Sequence, residues 1–221
     1  MKKLFLSTLR VVLYPFSMLY PEHISHKISN LWHHIYAAFI RNRFKVAGNI
    51  NIAGLPLHLH GGKYIELGDN VEFGAHARIC AVGNYANMQS FTPQLKIGNN
   101  VVIQTLCHIG CINKVVIGDY TTMGARVYIT DHTHGTSELK DLLIPPRKRN
   151  LVSKGSVIIG KNVHIGENSC IMPGVTIGDY CIIGANSVVT KDIPMGCIVA
   201  GVPAKILKQY SQEEIESLKS K

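Results

Sequence analysis

Aliphatic side chains recur at every sixth position in the last third of the chain. Between residues 159 and 194 the sequence divides into IGKNVH, IGENSC, IMPGVT, IGDYCI, IGANSV and VTKDIP, each with an aliphatic residue first and a small or branched residue fifth. Neither the helical period near 3.6 residues nor the two-residue period of a strand produces this spacing. A period of six is typical of a parallel β-helix, whose short strands stack into coils around one core.

The same repeat predicts which side chains face inward. Three hexapeptides form one triangular coil, with the first and fifth positions filling the interior and with Gly, Asp or Asn after the first position at tight corners. The corner glycines are Gly160, Gly166, Gly178 and Gly184. Cys107 and Cys181 fall on fifth positions, where a small hydrophobic residue belongs. The six cysteines therefore indicate a reducing compartment.

The six-residue repeat continues upstream of residue 159, with interruptions. Coils begin near residues 46–59 and become clear from Leu67 onward, and the polar residues 84–94 predict a bulged coil or small loop. Ile109 and Ile117 are eight residues apart, so two residues are extra. Such a slip often redirects a side chain beside a site. The repeat stops again at residues 135–156, which predicts a long loop of functional importance.

The first 45 residues lack the repeat, and we interpret them as two helices interrupted at Pro15 and Pro21. Arg10 breaks the first apolar run and no small-residue cleavage site follows, so we predict neither a signal peptide nor a membrane span. The segment has a net charge of +6 out of the chain's +9, because Glu22 opposes seven basic residues: Lys2, Lys3, Arg10, Lys27, Arg41, Arg43 and Lys45.

A basic apolar segment can cap the open end of a β-helix, and it can also lie on an anionic membrane surface. We expect the cap, and we consider peripheral contact with the inner face of the membrane compatible with it. Composition fits a globular protein, with 46% hydrophobic and 17% charged residues. The predicted organisation is a helical segment at residues 1–45, a β-helix at 46–203 that contains the loop, and a tail or helix at 204–221. We predict a cytoplasmic protein without a nucleic-acid partner.

The residues just before the long loop are candidates for chemistry. If Ile129 and Thr133 take the inward first and fifth positions, His132 points outward beneath the loop. Histidine can accept a proton from a hydroxyl near neutral pH, and Asp131 or a backbone carbonyl could fix its tautomer. Because the chain has eleven histidines, an ordinary surface histidine remains the alternative.

These motifs resemble the hexapeptide-repeat acyltransferases, a family of left-handed parallel β-helices that includes galactoside, maltose, capsule and O-antigen acetyltransferases. The resemblance extends over residues 97–208 and is strongest at IGDYCIIGANSVVTKDIPMGCIVAGVPAKILK. It implies a mainly β fold with left-handed coils, a homotrimer with sites between subunits, and acetyl-CoA as the acyl donor, with no metal.

By this resemblance, His132 is the general base, assisted by Asp131, and the acceptor hydroxyl attacks the thioester of acetyl-CoA directly. A backbone N–H of Gly166 or Glu167 would stabilise the oxyanion. Further positions match family residues that hold CoA: Ala185, Thr190, Lys191, Gly201, Lys205 and Lys208.

The acceptor side departs from the family pattern. Galactoside acetyltransferases carry an Asn and an Asp facing the sugar, where this chain has Gln104 and Ile112 with Asn113 adjacent. A common Trp before the IG of the CoA-side coil is His164 here. We take Gln104, Asn113 and His134 as candidate acceptor contacts and expect an acceptor other than a simple galactoside.

The favoured function is therefore an acetyl-CoA-dependent O-acetyltransferase that acts on a sugar hydroxyl of a cell-surface polysaccharide or its precursor. A xenobiotic acetyltransferase of the streptogramin or chloramphenicol type is the alternative. A γ-type carbonic anhydrase would need zinc ligands, for which the chain offers His76, His108, His132, His134 and His164. That enzyme has no use for VTKDIP and AGVPAK, and a non-catalytic β-helix would not need a histidine followed by a long loop.

Overall fold

A computed structural model describes residues 7, 9, 11, 12, 14, 22–86, 89–136 and 138–219. Most of these residues belong to a β-helix with three faces, each a sheet of short parallel strands. The first face consists of Val46–Ala47, Ile65–Leu67, Gln94–Ile97, Lys114–Ile117, Val157–Ile159 and Thr176–Ile177. The second face consists of Ile50–Ile52, Val71–Phe73, Val102–Ile103, Thr122–Met123, His164–Ile165, Ile182–Ile183 and Cys197–Gly201, with Ala204–Gln209 as an antiparallel last strand. The third face consists of His58–His60, Arg78–Ala81, His108–Cys111, Tyr128–Thr130, Cys170–Ile171 and Val188–Val189.

The core lies along the axis of the coils, where the hexapeptide phase predicts it. First-position side chains such as Ile165 and Ile183 are fully buried, and so is Cys181 at a fifth position. Burial of one such aliphatic side chain contributes roughly 1.5–3 kcal/mol. Ser187, at another fifth position, is also fully buried, and its hydroxyl donates to Gly184 O at 2.6 Å. A buried polar group of this kind is tolerated because it is paired.

Two edges of the triangle are regular. The corners between first and second faces, and between second and third faces, place their third residue in the left-handed region, as at Asn162 (φ 53°) and Asn168 (φ 58°). Asparagine adopts this conformation more easily than most residues. Between the first and second faces, a carboxylate also bridges coils, since Asp179 Oδ1 accepts the Lys161 N–H at 2.9 Å.

The edge between the third face and the first face of the following coil, here called the third edge, is irregular. A short hairpin, Asn84–Tyr85 with Gln89–Ser90, occupies the stretch predicted as a small loop. A long hairpin, His132–His134 with Leu151–Ser153, carries the helix Leu139–Leu142 and the 3-10 turn Pro146–Lys148. A further 3-10 turn, Gly62–Tyr64, lies earlier on the same edge.

The chain leaves the coil earlier than the repeat predicts. Thr130 is the last residue of its coil in register with the previous one, opposite Gly110, and Asp131 is fully buried. Thr133 was expected at an inward position, and this is wrong. Its hydroxyl instead donates to Gly135 O at 2.8 Å inside the long hairpin.

The helix Glu22–Arg41 packs against the first coils of the β-helix. Ala37 and Ile40 are buried in the core, and Phe44 stacks on Phe73 with ring centroids 6.5 Å apart. The described residues of the predicted first helix are helical: Ser7, Leu9, Val11, Val12 and Tyr14. Its residues Lys2, Lys3 and Arg10, and the breaks at Pro15 and Pro21, lie outside the described residues. The described part of the chain ends in the helix Gln212–Lys219, and no described helix is both long and apolar enough to cross a bilayer.

Candidate active site

His132 begins the long hairpin, and its imidazole is held from one side. Its Nδ1 lies 2.9 Å from Asp131 Oδ1 and 3.1 Å from Thr130 Oγ1. The Thr130 hydroxyl donates its hydrogen to the His132 carbonyl at 3.2 Å, so towards Nδ1 it can only accept. Two acceptors around Nδ1 assign the ring proton to that atom. The lone pair of Nε2 is therefore available to accept a proton.

Asp131 is fixed by the two extra residues of the slipped coil. Its Oδ1 accepts the Ile112 N–H at 3.0 Å and its Oδ2 accepts the Asn113 N–H at 2.8 Å. Burial acts to raise the pKa of Asp131, but the bonds from His132, Ile112 and Asn113 outweigh it and hold the pKa below its ordinary value. The carboxylate is therefore charged at neutral pH, and it accepts the Nδ1 hydrogen of the neighbouring imidazole.

Gly110 forms the floor beneath the imidazole. A Cβ at this position would lie 3.2 Å from His132 Cε1 and 3.5 Å from Thr130 Oγ1. Gly110 is therefore the residue that leaves room for the ring to lie against the third face. The hexapeptide pattern does not single it out, because it has no side chain and no unusual φ.

A cavity of about 890 Å³ extends from His132 along the third face. The two hairpins form its wall, and they are tied together by Gln89, whose amide bonds Leu151 through both O and N at 2.7 and 3.1 Å. Tyr36 and Ile40 of the N-terminal helix line the far end. A volume of this size accommodates a small-molecule ligand.

The structure separates the three predicted acceptor contacts. His134 lines the cavity, and its Nδ1 lies 3.3 Å from the Tyr85 hydroxyl. Asn113 supports Asp131 through its backbone N–H, and its amide group lies 3.5 Å from Ser153 Oγ outside the lining. Gln104 is exposed at the edge between second and third faces, also outside the lining. Of the three, the geometry supports His134 alone as a direct contact within one chain.

The candidate CoA residues lie on two different edges. Thr190 and Lys191 follow the last third-face strand, so they share the third edge with His132, two strands further on. Ala185 lies at the edge between second and third faces, as do Gly166 and Glu167. Gly201, Lys205 and Lys208 belong to the antiparallel pair at the end of the second face. A single chain does not bring these groups together.

Local contacts define several of these positions further. The Gly201 N–H donates to Ser187 Oγ at 3.2 Å, and Lys208 Nζ lies 4.3 Å from the Tyr210 ring centroid. A hydrogen bond with Tyr210 raises the pKa of Lys208. Glu167 pairs with Arg126 at 3.5 Å. Thr190, Lys191 and Lys205 are exposed.

Gly166 does not fit the predicted role of oxyanion donor. Its N–H already donates to Ile183 O at 2.8 Å within the coil ladder. That bond uses the hydrogen an oxyanion would need. The Glu167 N–H remains a prediction, and it lies at the opposite end of the third-face strands from His132.

Burial disfavours the reactive thiolate form of two cysteines. Burial raises the pKa of the Cys107 thiol to about 11, and burial together with the Asp131 charge raises the pKa of Cys111. All six cysteines are free. Within the described ranges, no group of three His, Cys, Asp or Glu side chains is arranged to hold a metal ion.

Three comparisons relate this architecture to known proteins. The family model "Bacterial transferase hexapeptide (six repeats)" matches residues 156–191. WbbJ of Escherichia coli K12, named for O-acetyl transfer in lipopolysaccharide biosynthesis, is 37% identical over 169 residues, which cover 75% of this chain and 82% of that protein. The galactoside O-acetyltransferase of E. coli K12 is 37% identical over 103 residues, which cover 46% of this chain and 51% of that protein.

Solved structures match the fold. AntD, an N-acyltransferase from Bacillus cereus crystallised with dTDP and coenzyme A, superimposes with a TM-score of 0.62 at 22% identity, over 83% of this chain and 95% of that one. A hexapeptide-repeat acetyltransferase from Vibrio cholerae, complexed with acetyl-coenzyme A, gives a TM-score of 0.53 at 24% identity, over 79% and 76% of the two chains. The predicted fold class, a left-handed parallel β-helix, is confirmed.

Proposed function

Because this chain belongs to the family of hexapeptide-repeat acyltransferases, we propose that it transfers an acetyl group from acetyl-CoA to a hydroxyl of a sugar. The acceptor would be a cell-surface polysaccharide or its precursor, in keeping with the name of the E. coli relative WbbJ. One observation carries the proposal: Asp131 holds Nδ1 of His132, which leaves Nε2 without a partner among the described residues, and His132 lines a cavity whose wall is built from the two hairpins.

The reaction begins with removal of the hydroxyl proton by Nε2 of His132. The acceptor oxygen attacks the thioester carbonyl carbon and forms a tetrahedral oxyanion. Collapse of this intermediate breaks the carbon–sulfur bond, and the imidazolium returns its proton to the CoA thiolate. Asp131 and Thr130 keep the ring oriented throughout, and the Asp131 carboxylate stabilises the imidazolium, as expected for a general base of this kind.

We propose that the working enzyme is a homotrimer. The support is the separation of the CoA candidates within one chain. Thr190 and Lys191 share the edge of His132, while Lys205 lies on another face. A three-fold arrangement that juxtaposes unlike edges of neighbouring subunits would unite the two sets around one CoA molecule. The same arrangement would allow a neighbouring Glu167 N–H to reach the oxyanion.

We also propose a cytoplasmic enzyme whose N-terminal segment caps the β-helix and rests on the inner membrane surface. One side of the helix Glu22–Arg41 is buried on the first coils, and the opposite side exposes a continuous apolar stripe: Ile24, Ile28, Leu31, Trp32, Ile35 and Phe39. The net charge of +6 over residues 1–45 would add attraction to anionic lipids.

A thiol-release assay with acetyl-CoA tests the function directly. Sugars, nucleotide sugars and antibiotics are offered as acceptors, and acetylated products are identified by mass spectrometry. We expect acetylation of a sugar hydroxyl that depends on His132. Acetylation of an antibiotic with no sugar acceptor would instead support the xenobiotic enzyme, and the absence of thiol release with every acceptor would contradict the proposal.

A further inference from the structure

The outward side chains of the third face form a column that leads away from His132. His58, Arg78, His108 and Tyr128 stand opposite one another in register on successive strands. The His132 ring lies over Gly110, on the same strand as His108. Because adjacent strands are about 4.8 Å apart, the Arg78 strand is one such step from the strand beneath the imidazole.

The cavity along this column is electropositive. Its described lining includes the guanidinium groups of Arg43 and Arg78 and no Asp or Glu side chain. Within the described part of the chain, the Arg78 side chain forms neither a hydrogen bond nor an ion pair, whereas the Arg43 guanidinium lies 5.9 Å from the Phe39 ring centroid. A guanidinium in a cavity without carboxylates is suited to bind an anion from the ligand.

His108 does not compete for this role. Burial, with smaller contributions from the charges of Arg78 and His132, lowers the pKa of His108 to about 4. The ring is therefore neutral at physiological pH, and it packs edge-on against Tyr128 with centroids 5.3 Å apart. Arg78 supplies the permanent positive charge nearest to His132 in the column.

We propose that the acceptor is a glycosyl phosphate, bound with its phosphate on Arg78 and the hydroxyl to be acetylated at Nε2 of His132. This inference rests on the proposed function and names its substrate class. Arg78 lies on the strand next to Gly110, two residues before Cys80, the residue opposite Gly110. The backbone positions of Arg78 and Gly110 are therefore roughly 8 Å apart, a span that a sugar ring with its phosphate can bridge. A planar guanidinium offers bidentate hydrogen bonds to two phosphate oxygens, which a hydroxyl-binding site would not require.

The phosphate can come from two kinds of donor, and the far end of the cavity receives the rest of the molecule in either case. Leu57, Leu59, Tyr36 and Ile40 make that end apolar and aromatic. A polyprenyl chain on a lipid-linked sugar or the base of a nucleotide sugar would both continue in this direction. The shared chemistry is the sugar phosphate, and the experiment below separates the two sources.

The test compares matched acceptors and matched variants. The acceptors are the methyl glycosides and the 1-phosphates of glucose, galactose and N-acetylglucosamine, followed by their UDP and farnesyl-diphosphate forms. The variants are Arg78→Leu, Arg78→Lys and, as a control, Arg147→Leu, which removes an exposed arginine on the long hairpin outside the cavity lining. The measurements are kcat/KM for acetylation and, independently of turnover, calorimetric binding of the sugar 1-phosphates.

We expect the wild-type enzyme to prefer a phosphorylated sugar over its methyl glycoside. Arg78→Leu should lower kcat/KM for the phosphorylated sugar about 10- to 100-fold, as expected for the loss of hydrogen bonds to a charged group. The kcat/KM for the methyl glycoside should stay within about twofold of the wild-type value. Arg78→Lys should retain part of the preference, because lysine keeps the charge but loses the bidentate geometry. The control should behave as wild type. Whichever of the UDP and farnesyl-diphosphate sugars has the higher kcat/KM shows whether the natural acceptor is a nucleotide sugar or a lipid-linked sugar.

Two failures are distinguishable. The phosphate site is wrong and the proposed function stands if sugars are acetylated without preference for the phosphate. The same conclusion follows if Arg78→Leu lowers kcat/KM equally for the sugar phosphate and the methyl glycoside. If no sugar is acetylated but sugar 1-phosphates bind and Arg78→Leu abolishes that binding, the phosphate site stands and the proposed function is wrong. Absence of both turnover and binding overturns both.

Discussion

The two regular edges of the β-helix and its third edge are built on different principles. On the regular edges, the corners from Gly68 to Ser187 repeat one backbone geometry, with the third residue of each corner in the left-handed region. Gly118 packs so closely on the next coil that a Cβ would lie 2.6 Å from the Gly160 carbonyl carbon. On the third edge, three successive coils make three different connections: a short hairpin, a slip of two residues and the long hairpin.

This difference separates stability from chemistry. The regular edges are closed by contacts that repeat from coil to coil, so each contributes similarly to the fold. The third edge holds the groups proposed for catalysis, and each is positioned by a connection that occurs once. The slip provides two N–H groups for Asp131, the long hairpin carries His132, and the short hairpin supports it through Gln89. Substitutions on the regular edges should therefore mainly lower stability, whereas substitutions on the third edge should mainly lower activity.

The largest effect is expected at the centre of the third edge. His132→Ala should lower kcat by about two to four orders of magnitude, because water is a poor base at neutral pH. The fold and the affinity for CoA should not change, since the imidazole fills no part of the core. Steady-state kinetics, with circular dichroism and calorimetric CoA binding, check this.

A histidine outside the β-helix provides the control. His34 is exposed on the helix Glu22–Arg41 and does not line the cavity, and His34→Ala should keep kcat within about twofold, as is usual for surface substitutions away from a site. Near wild-type turnover by His132→Ala would show that the general base has been misassigned.

The next largest effect is expected at Asp131. Asp131→Asn should lower kcat about 10- to 100-fold, because the imidazole loses the partner that orients it and stabilises its charged form. It should also destabilise the fold by about 1–3 kcal/mol, since a buried acceptor of two N–H groups is impaired. Kinetics and urea unfolding at neutral pH measure the two losses.

The pH dependence of the stability difference identifies its origin. The folded-state pKa of Asp131 lies below the ordinary 3.8, so its contribution is fully present above that pH and is lost as the pH falls through the lowered value. The gap in unfolding free energy between wild type and Asp131→Asn should narrow in acid. A gap that stays constant down to the acid transition would show that charge is not involved.

Two glycines sharpen the comparison further. Gly110→Ala places a Cβ 3.2 Å from His132 Cε1 and should displace the ring, lowering kcat about tenfold with little loss of stability. Gly118→Ala, on a regular edge, meets backbone and should cost about 1–3 kcal/mol of stability. Kinetics and unfolding measurements should show that Gly110→Ala mainly loses activity and that Gly118→Ala mainly loses stability. Equal losses of activity in the two variants would contradict the proposed difference between the edges.

The regular edges are also the part that the sequence predicts well. Ile165, Cys181 and Ile183 are buried as the six-residue phase requires, because that phase is a local property repeated in each coil. The third edge depends on pairs far apart in the sequence, such as Gln89 with Leu151, and no local pattern encodes them. The inward position assigned to Thr133 was wrong for this reason, since extrapolating the repeat ignored the departure at Asp131.

The same limit explains the residues that the repeat did not reveal. Arg78 and Thr130 occupy ordinary positions of their hexapeptides, and their relation to His132 emerges only when strands 30 and 20 residues apart are stacked in register. The family resemblance implies a backbone N–H of Gly166 or Glu167 as the oxyanion donor, but it does not reveal that the Gly166 N–H is already bonded to the next coil. Alignment of successive coils before assigning roles could have found Arg78.

The smallest effect is expected on the N-terminal helix, which lies outside the repeat and whose exposed stripe is proposed to contact the membrane. Trp32 is 62% exposed in that stripe, and burial of part of its surface in a lipid interface would contribute about 1 kcal/mol. Trp32→Ser should therefore weaken cosedimentation with anionic vesicles about fivefold, while acetylation of soluble acceptors stays unchanged. Leu207→Ser is the matched control, because Leu207 is 68% exposed in the last strand, at the other end of the β-helix. Binding to vesicles of zwitterionic lipid should be weaker for all three proteins, since the positive charge of residues 1–45 would find no partner there. Equal vesicle binding by Trp32→Ser and Leu207→Ser would show that the stripe does not contact lipid, and would leave the helix with its packing on the first coils alone.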